Sequence, residues 1–543
     1  MQTRRRHDRE SSSTGPGVGR DPDLRSAQLA GLAASATATL ALGLIHTFAS
    51  SIPFPPSSIA QVLVRTTPGG FDSFFIDILG HWAQRLALIG TALAFAVVGA
   101  PLAAVWHRFL GRRSQTSDAS WIALLLPVWV ISVVLYPSVV QYAARSLFSV
   151  VTLPVYVAVG ALAARIRHRL APAATARQDA AAASPGGDPF DRSRRYFVAS
   201  LGAGGAGVLL GLSSAGSLLH PRPDPGTKRL ALRNLTAAPT APHQAGGLFA
   251  NVAGLTPEVT SIAQHYVVDE ELFDPVIDPA TWRLSVAGHV RRPLRVSYDE
   301  LKRFPAVERY QTLECISNRV GGHLISTAKW AGVPLPLILR RAGVKPGAVE
   351  VVFRAAGGYS DSLPIDQAMD ESTLIAIGMN DHVLPRQHGF PARLLSVGTY
   401  GMKNPKWLTG IEVVTRPYEG FWEQRGWTKP AIVKTGSRID TPRQGATVHA
   451  PAWIGGIAFA GDRRISKVEV STDGGSTWSR ARLKAPLSPY TWTLWLYKGV
   501  PERMHDATIL SRAFDGSGRP QARVEVAPFP SGATGYDVIT VTA

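Results

Sequence analysis

Apolar residues are concentrated in the first 220 positions of this 543-residue chain, where four runs are long enough to cross a bilayer. These runs lie at about residues 26–50, 83–106, 121–141 and 147–164. A fifth run, at about 196–219, is rich in glycine and only moderately apolar. The pattern predicts a membrane region at 26–220 with about five transmembrane helices, preceded by a basic cytoplasmic tail at 1–25.

The placement of arginine predicts how these helices are oriented. The tail and the connections at 107–119 and 165–195 together hold 16 arginines and 8 acidic residues, whereas the connection at 51–80 holds one arginine and two aspartates. Basic connections stay in the cytoplasm. The alternation therefore places everything after about residue 220 outside the cytoplasm. It also accounts for much of the net charge of +18, and no nucleic-acid-binding motif accompanies that charge.

The fifth run begins with its own signal. The stretch SRRYFV at 193–198 resembles a twin-arginine export signal. The alternative is a pair of arginines that simply marks the cytoplasmic end of a helix. The export interpretation favours a domain that folds, with any cofactor, before it leaves the cytoplasm.

Beyond the membrane region the pattern becomes that of soluble domains. Residues 221–256 are rich in proline, glycine, alanine and threonine and predict a linker. Strand-like and short helix-like pieces alternate over 257–420 and predict an α+β domain. Alternating stretches such as KVEVSTDGGSTW and TWTLWLYK predict an all-β sandwich over 421–543.

The sequence contains one cysteine, Cys315, within TLECISNRVGG, which excludes an internal disulfide. The commonest role of a free cysteine is a small buried apolar residue. The alternative is a thiolate ligand, which the neighbouring Asn318 and Arg319 would suit because nearby positive charge favours ionisation. No second cysteine is present, so a metal bound here would take its other ligands from a cofactor.

A basic stretch lies further along the chain. His388, Arg393, Lys403 and Lys406 fall within 19 residues, among several glycines. Cations around flexible backbone are typical of a site for an anionic, phosphate-bearing ligand. A solvated basic loop is the alternative.

Several of these stretches resemble the sulfite oxidase family, as a bacterial membrane-anchored member. TLECISNR, GYSDSLPI, MNDHVLPRQHGFPARLL and MKNPKWL resemble its molybdopterin-binding domain, and HYVVDEELFDPVIDPATWRLSVAGHV resembles the N-terminal edge of that domain. The segment that begins GWTKPAIVKTGSRIDTP resembles the immunoglobulin-like domain that follows. The resemblance covers roughly 260–543. It implies transmembrane helices, then a molybdopterin domain at 257–420, then an immunoglobulin-like sandwich at 421–543.

The resemblance implies a Mo-molybdopterin cofactor with Cys315 as the thiolate ligand of the metal. It also implies catalytic or substrate-facing roles for Tyr359 and Arg319, although a tyrosine at a strand end is equally typical of a core. The residues that it implies for cofactor binding are Tyr266, Cys315, Asn318, His388, Arg393, Asn404, Pro405 and Lys406.

The function implied is oxygen-atom transfer to or from a small oxo-bearing substrate, with electrons exchanged with a separate cytochrome or quinone. Family members that oxidise sulfite carry an arginine in the edge segment, where this sequence reads VVDEE at 267–271. Acids there would repel a sulfite dianion, so sulfite-like and sulfoxide-like substrates both stay open. The tail domain of the family implies a homodimer, and the apolar runs imply contact with membrane lipid.

Two other functions are compatible with parts of the pattern. A membrane-tethered binding protein that keeps the fold without catalysis is disfavoured by the intact cysteine and HGFPAR motifs. A transporter is disfavoured because the apolar runs hold few charged residues. A haem b between His46 and His81 is not expected, since interfacial histidines are the commoner explanation of such positions.

Overall fold

The computed structural model describes residues 22–48, 54–67, 82–109, 165, 189–212, 224–232, 234–237, 247–271, 274–449, 452–499 and 507–542. The chain falls into two compact units, Met1–Val62 with Leu86–Pro221 and Leu63–Arg85 with Arg222–Ala543. Each unit is described separately below.

The described part of the N-terminal region is almost entirely helical. Its helices are α1 (Pro22–Phe48), α2 (Pro55–Thr66), α3 (Trp82–Val97), α4 (Gly99–Phe109) and α5 (Pro189–Leu212). Small residues let α1 and α4 approach closely, because a Cβ on Gly31 would lie 2.0 Å from the carbonyl oxygen of Gly99. The Ser35 hydroxyl donates to the Ala96 carbonyl at 2.7 Å and joins α1 to α3.

These helices agree in position with three of the five predicted spans. Within the described residues, one stretch, Ala27–Ile45 of α1, is by itself long and apolar enough to cross a membrane. The pair Leu86–Val97 and Gly99–Val105, bent by 43°, passes the same test if it is taken as one span. The apolar part of α5 is shorter, Phe197–Ala206. The predicted spans at 121–141 and 147–164, and His81, lie outside the described residues, so the multi-pass topology stays a prediction.

Two sheets form the domain that was predicted at 257–420. The first has the strand order β1-β4-β5-β8-β10, with β9 paired to β8, and the second has the order β3-β2-β11-β6-β7. The strands are β1 (Leu235–Thr236), β2 (Arg283–Gly288), β3 (Leu294–Ser297), β4 (Ala306–Glu314), β5 (Ile325–Pro334), β6 (Glu350–Ala355), β7 (Ser360–Pro364), β8 (Leu374–Met379), β9 (His382–Val383), β10 (Arg393–Leu395) and β11 (Leu408–Val414). Most neighbours are antiparallel, but β1–β4 and β2–β11 are parallel.

The domain is mostly β, so its helical part is smaller than the α+β prediction expects. Its described helices are α6 (Tyr298–Leu301), α7 (Leu335–Ala342) and α8 (Ile365–Ala368). A capping box opens α6, since Ser297 accepts from the Glu300 amide and Glu300 accepts from the Ser297 amide. The α7 helix ends at Gly343, whose φ of +70° suits glycine.

The segment predicted as a linker is partly built into this domain. Its described residues include β1, which pairs with the start of β4. The Leu230 amide donates to the Asp381 carbonyl, and the Val383 amide donates to the Lys228 carbonyl. In its described part, the segment therefore adds backbone to the first sheet and also contains two short turns, Pro225–Thr227 and Leu248–Asn251.

Residues beyond 430 form two four-stranded sheets around a shared apolar core. Their orders are β12-β13-β17-β16 and β15-β14-β18-β19. The strands are β12 (Gly436–Thr441), β13 (Ala452–Phe459), β14 (Ile465–Ser471), β15 (Ser479–Arg480), β16 (Arg482–Leu483), β17 (Thr493–Gly499), β18 (Ala507–Asp515) and β19 (Asp537–Val541). Ile454, Val468, Trp495 and Ile509 are central to the core, in agreement with the predicted sandwich.

A second apolar cluster joins the sandwich to the preceding domain. Ile316 and Met402 of that domain pack together with Trp427, Ile457 and Trp492. Ile316 directly follows Cys315 in sequence, so this joint fixes the backbone next to the lone thiol.

Candidate active site

Most of the predicted site residues line one recess of the second unit. Cys315, Tyr266, Tyr359, His388 and Arg393 contribute to it, as do Asn404, Pro405 and Lys406. They come from the segment before β2, the end of β4, the loop before β7, the turn before β10 with the start of β10, and the turn before β11. Residues separated by up to 140 positions in sequence are therefore brought together, as the resemblance implies.

Cys315 is held by backbone bonds at the end of β4. Its amide donates to the Leu324 carbonyl at 2.9 Å, and its carbonyl accepts from the Asn318 amide at 3.0 Å. Its side chain is 9% exposed, and burial raises the pKa of the thiol to about 11 in the protein alone. A thiol buried in this way needs a metal or another cation to exist as a thiolate.

The cationic wall of the recess consists of Arg393 and Lys406. The Arg393 guanidinium donates to the carbonyls of His388 at 3.2 Å and Asn404 at 3.1 Å, and it lies over the Trp330 ring. Burial lowers the pKa of Arg393 to about 10, which leaves the group charged at neutral pH. Lys406 is paired with Asp269 and donates to the Gln387 carbonyl at 3.0 Å.

His388 is a neutral member of this wall. Burial, followed by the charges of Lys406 and Arg393, lowers its pKa to about 3. Its Nε2 lies 3.3 Å from the Ile262 carbonyl oxygen. The imidazole is therefore suited to a hydrogen bond and not to charge neutralisation.

Tyr359 is buried, and its phenol is oriented by two acceptors. The hydroxyl donates to the Met402 carbonyl at 2.7 Å and lies 3.3 Å from an Asp361 oxygen. Asp361 in turn accepts from Lys403 at 2.6 Å, and Lys403 is also paired with Glu423. Burial raises the pKa of Tyr359 well above its ordinary value, so the phenol is protonated.

The ion pairs of Lys403 revise one expectation of the sequence. Lys403 was grouped with the phosphate-binding cations, but its amine is occupied by two buried carboxylates behind Tyr359. Lys403 lies in the predicted stretch, but its side chain pairs with Asp361 and Glu423 and does not line the recess.

Asn318 and Arg319 do not line the recess of Cys315. They line a neighbouring recess with Glu314, Gly322 and Arg438. The Asn318 amide nitrogen donates to Glu314 at 2.9 Å, and its oxygen accepts from the Leu324 amide at 3.0 Å. Asn318 therefore braces the loop that carries Cys315. The placement of Arg319 gives no support to its expected role at the substrate.

His265 and Glu270 line the recess but were not selected from the sequence. The His265 ring contacts the rings of Tyr266, His388 and Trp330. Glu270 is 9% exposed. Both residues belong to the stretch HYVVDEE at 265–271. Their place at the N-terminal edge of the domain, next to Tyr266, is the sequence feature that could have identified them.

The recess fits a large anionic cofactor by its own chemistry. Arg393 Nε and His265 Nε2 are buried and have no hydrogen-bond partner within the described part of the chain. Gly389 has a φ of +112°, and a Cβ there would lie 3.1 Å from the Cβ atoms of both Arg393 and Lys406. Donors, permanent cations and close backbone are what a phosphate-bearing group needs. Arg393, Lys406, His388 and His265 would hold the organic part, and Cys315 would bind the metal.

Comparison with known proteins agrees with this arrangement. Residues 272–422 match the oxidoreductase molybdopterin binding domain, and residues 431–527 match the Mo-co oxidoreductase dimerisation domain. The mitochondrial sulfite oxidase of Rattus norvegicus is 33% identical over 292 residues, which are 45% of this chain and 54% of the relative. The sulfite oxidase of Gallus gallus is 31% identical over 324 residues, which are 48% of this chain and 69% of the relative.

The chain belongs to the sulfite oxidase family. Membership confirms the resemblance and indicates a Mo-molybdopterin cofactor. The chain spans about half the length of the first mammalian relatives that it matches. Among solved structures, the sulfane dehydrogenase SoxCD from Paracoccus pantotrophus is similar at a TM-score of 0.45 and 23% identity, over 50% of this chain and 81% of that chain.

Proposed function

We propose that this family member is a membrane-anchored oxidoreductase that transfers an oxygen atom to or from a small sulfite-like or sulfoxide-like substrate outside the cytoplasm. The observation that carries the proposal is the convergence of the lone thiol, Cys315, with the buried cations Arg393 and Lys406 in one recess. When bound, the molybdenum cofactor supplies the two-electron oxygen-atom chemistry.

The residues of the chain bind the cofactor and orient the substrate. Arg393 and Lys406 neutralise the cofactor phosphate, and His388 donates or accepts without adding charge. Tyr359 is proposed to face the substrate, and its hydroxyl would donate to a substrate oxygen after turning away from the Met402 carbonyl. The domain at 421–543 is proposed to be immunoglobulin-like and to join two chains as a homodimer, which the match to a dimerisation domain supports. Electrons pass to or from a separate cytochrome or quinone.

Metal analysis of Cys315→Ser tests the proposal. We expect the detergent-purified wild type, from a host that makes the cofactor, to hold about one molybdenum per chain and to lose most of it in the variant, because a hydroxyl is a poor ligand for this metal. Pterin fluorescence is measured on the same samples, and Ser511→Ala, in the C-terminal sandwich, serves as a buried control. A folded wild type without molybdenum would favour the non-catalytic binding protein.

The location of the catalytic domain is tested separately. We expect a phosphatase reporter that is active only outside the cytoplasm to be active when it is fused after residue 543. Replacing Arg194 and Arg195 together by lysine should abolish that activity, because the twin-arginine pathway requires the arginine pair. Activity that survives the replacement would instead identify the pair as an ordinary cytoplasmic helix end.

A further inference from the structure

The recess beside Cys315 contains a carboxyl group that the proposed chemistry does not use. Glu270 lines the recess together with Tyr359 and several large apolar side chains, among them Val268, Met402, Trp422 and Trp427. It is the acidic member of the lining as the structure describes it. An acid among aromatic walls is an unusual lining for a site that must admit an anion.

The cations of the recess do not compensate for this acid. Arg393 and Lys406 are the lining residues with permanent positive charge in the part that the structure describes. Lys406 is paired with Asp269, and Arg393 donates to two backbone carbonyls. Both belong to the cofactor-binding wall, so an entering oxyanion would compete with the cofactor phosphate for their charge.

The surroundings of Glu270 favour its neutral form. Burial, and then the negative charges of Glu271 and Asp269, raise the pKa of Glu270 to about 8, while Lys406 acts in the opposite direction. The carboxyl of Glu270 is also among the charges that raise the pKa of the Tyr359 phenol. A protonated carboxyl is a hydrogen-bond donor. Near neutral pH, Glu270 therefore presents an O–H donor to the recess, whereas the Tyr359 hydroxyl already donates to the Met402 carbonyl.

We propose that Glu270 is a specificity-determining residue that selects an uncharged sulfoxide and excludes oxyanions such as sulfite. The inference rests on the proposed function. Glu270 donates a hydrogen bond to the sulfoxide oxygen, and Trp422 and Trp427 contact the carbon substituents of the sulfoxide. The net reaction takes one sulfoxide, two electrons and two protons to one sulfide and one water, with the electrons supplied by a reduced quinol or cytochrome.

Steady-state kinetics of the full-length holoenzyme test the selection. Methyl phenyl sulfoxide is reduced with benzyl viologen as the electron donor, and sulfite is oxidised with ferricyanide as the acceptor. We expect kcat/KM for the sulfoxide to exceed that for sulfite by about 100-fold or more. A buried carboxyl group disfavours binding of an anion, whereas its O–H favours a neutral hydrogen-bond acceptor such as the sulfoxide oxygen. A holoenzyme that turns over sulfite as well as or better than the sulfoxide would overturn the proposal.

Two variants of Glu270 distinguish the effect of its hydrogen-bond donor from the effect of its charge. Glu270→Gln keeps an N–H donor and Glu270→Ala does not, so Ala should lower kcat/KM for the sulfoxide by about 10- to 100-fold and Gln by much less. Wild-type activity should fall as the pH rises through about 8, where Glu270 ionises. This fall should be absent in Glu270→Gln. Glu371→Gln, an exposed control, should keep the wild-type profile.

Binding provides a readout that does not depend on turnover. Methyl phenyl sulfone, an unreactive neutral analogue, should quench tryptophan fluorescence through Trp422 and Trp427, whereas sulfate should not. Equal binding of sulfate would contradict the selection. Molybdenum-loaded protein that turns over neither substrate would contradict both the proposed function and this inference. Sulfite oxidation that is indifferent to Glu270→Ala would contradict the inference alone.

Discussion

At the scale of single residues, the buried cluster of Lys403, Asp361 and Glu423 connects the recess to the segment between the two matched domains. All three side chains are at most 3% exposed. Asp361 contacts the Tyr359 phenol, and Glu423 belongs to the segment between the two matched domains and accepts from the Gly420 amide. One amine therefore ties the tyrosine of the recess to the start of the C-terminal domain.

Removing that amine should be costly. We expect Lys403→Met to lower the free energy of unfolding by about 3–5 kcal/mol, because it leaves two buried carboxylates without their cation. Denaturant unfolding followed by tryptophan fluorescence measures the change. Lys345→Met, on an exposed loop, is the matched control and should stay within about 0.5 kcal/mol of the wild type. Equal curves for the two variants would show that the cluster contributes little to stability.

The same cluster shows where prediction from the sequence reaches its limit. The spacing of His388, Arg393 and Lys406 predicted an anion site, and all three line the recess. Lys403 has the same residue type and neighbourhood, but its direction is set by Asp361 and Glu423, which lie 42 and 20 positions away. A one-dimensional pattern carries residue type and spacing. It does not carry the tertiary partner that captures a side chain.

At the scale of elements, β14 and β17 show which strand faces the sequence pattern predicts and which it does not. Val468 and Val470 alternate with polar residues in the sequence and lie in the sandwich core, as alternation predicts. In the TWTLWLYK stretch, Trp492 and Leu494 share a face, but that face packs on the preceding domain. Trp495, on the opposite face, fills the sandwich core. A strand buried on both faces reads as a continuous apolar run, so the sequence cannot assign its faces.

The turn that follows β14 should make the stability of the fold depend on pH in the acidic range. The Asp473 carboxylate accepts from the Thr477 amide at 2.9 Å and from the hydroxyls of Ser471 and Thr477 at 2.6 Å. These bonds hold the pKa of Asp473 well below its usual range. The carboxylate therefore stabilises the fold above its ordinary pKa, about 3.9, and this contribution is lost as the pH falls below that value.

We expect the melting temperature of Asp473→Asn to lie below that of the wild type at pH 7. The difference should narrow as the pH falls below about 4, because the unfolded wild type then binds a proton that the folded carboxylate does not bind, which favours unfolding. Thermal scans at one fixed heating rate between pH 7 and pH 3 provide the measurement. Thr477→Val, which removes one donor, should show a smaller version of the same effect. Parallel curves would contradict the assignment.

At the scale of the whole molecule, the C-terminal domain exposes apolar side chains close to the segment that joins the two domains. Val526 pairs with Thr534, and Thr534 shares a surface recess with Ile432. Val524, Val526 and Ile432 are 71%, 47% and 49% exposed. Exposed apolar side chains of this kind are typical of protein contact surfaces, which agrees with the proposed homodimer.

Light scattering in detergent, corrected for the micelle, tests the dimer. We expect the wild type to have twice the mass of one chain and Val526→Asp to shift toward the monomer, because a carboxylate in an apolar interface must be desolvated. Val349→Asp, at an exposed valine of the molybdopterin domain, should leave the mass unchanged. A monomeric wild type would contradict the homodimer, and a dimeric Val526→Asp would place the contact elsewhere.

Because the single cysteine is buried, its chemical labelling reports on local opening of the native protein. In the cofactor-free protein, a thiol reagent reaches Cys315 efficiently only when the recess opens, since the side chain is 9% exposed. The ratio of its labelling rate to that of a small free thiol therefore measures the equilibrium for local opening. Because the chain has no other thiol, every label reports on this one position, and no background cysteine has to be replaced.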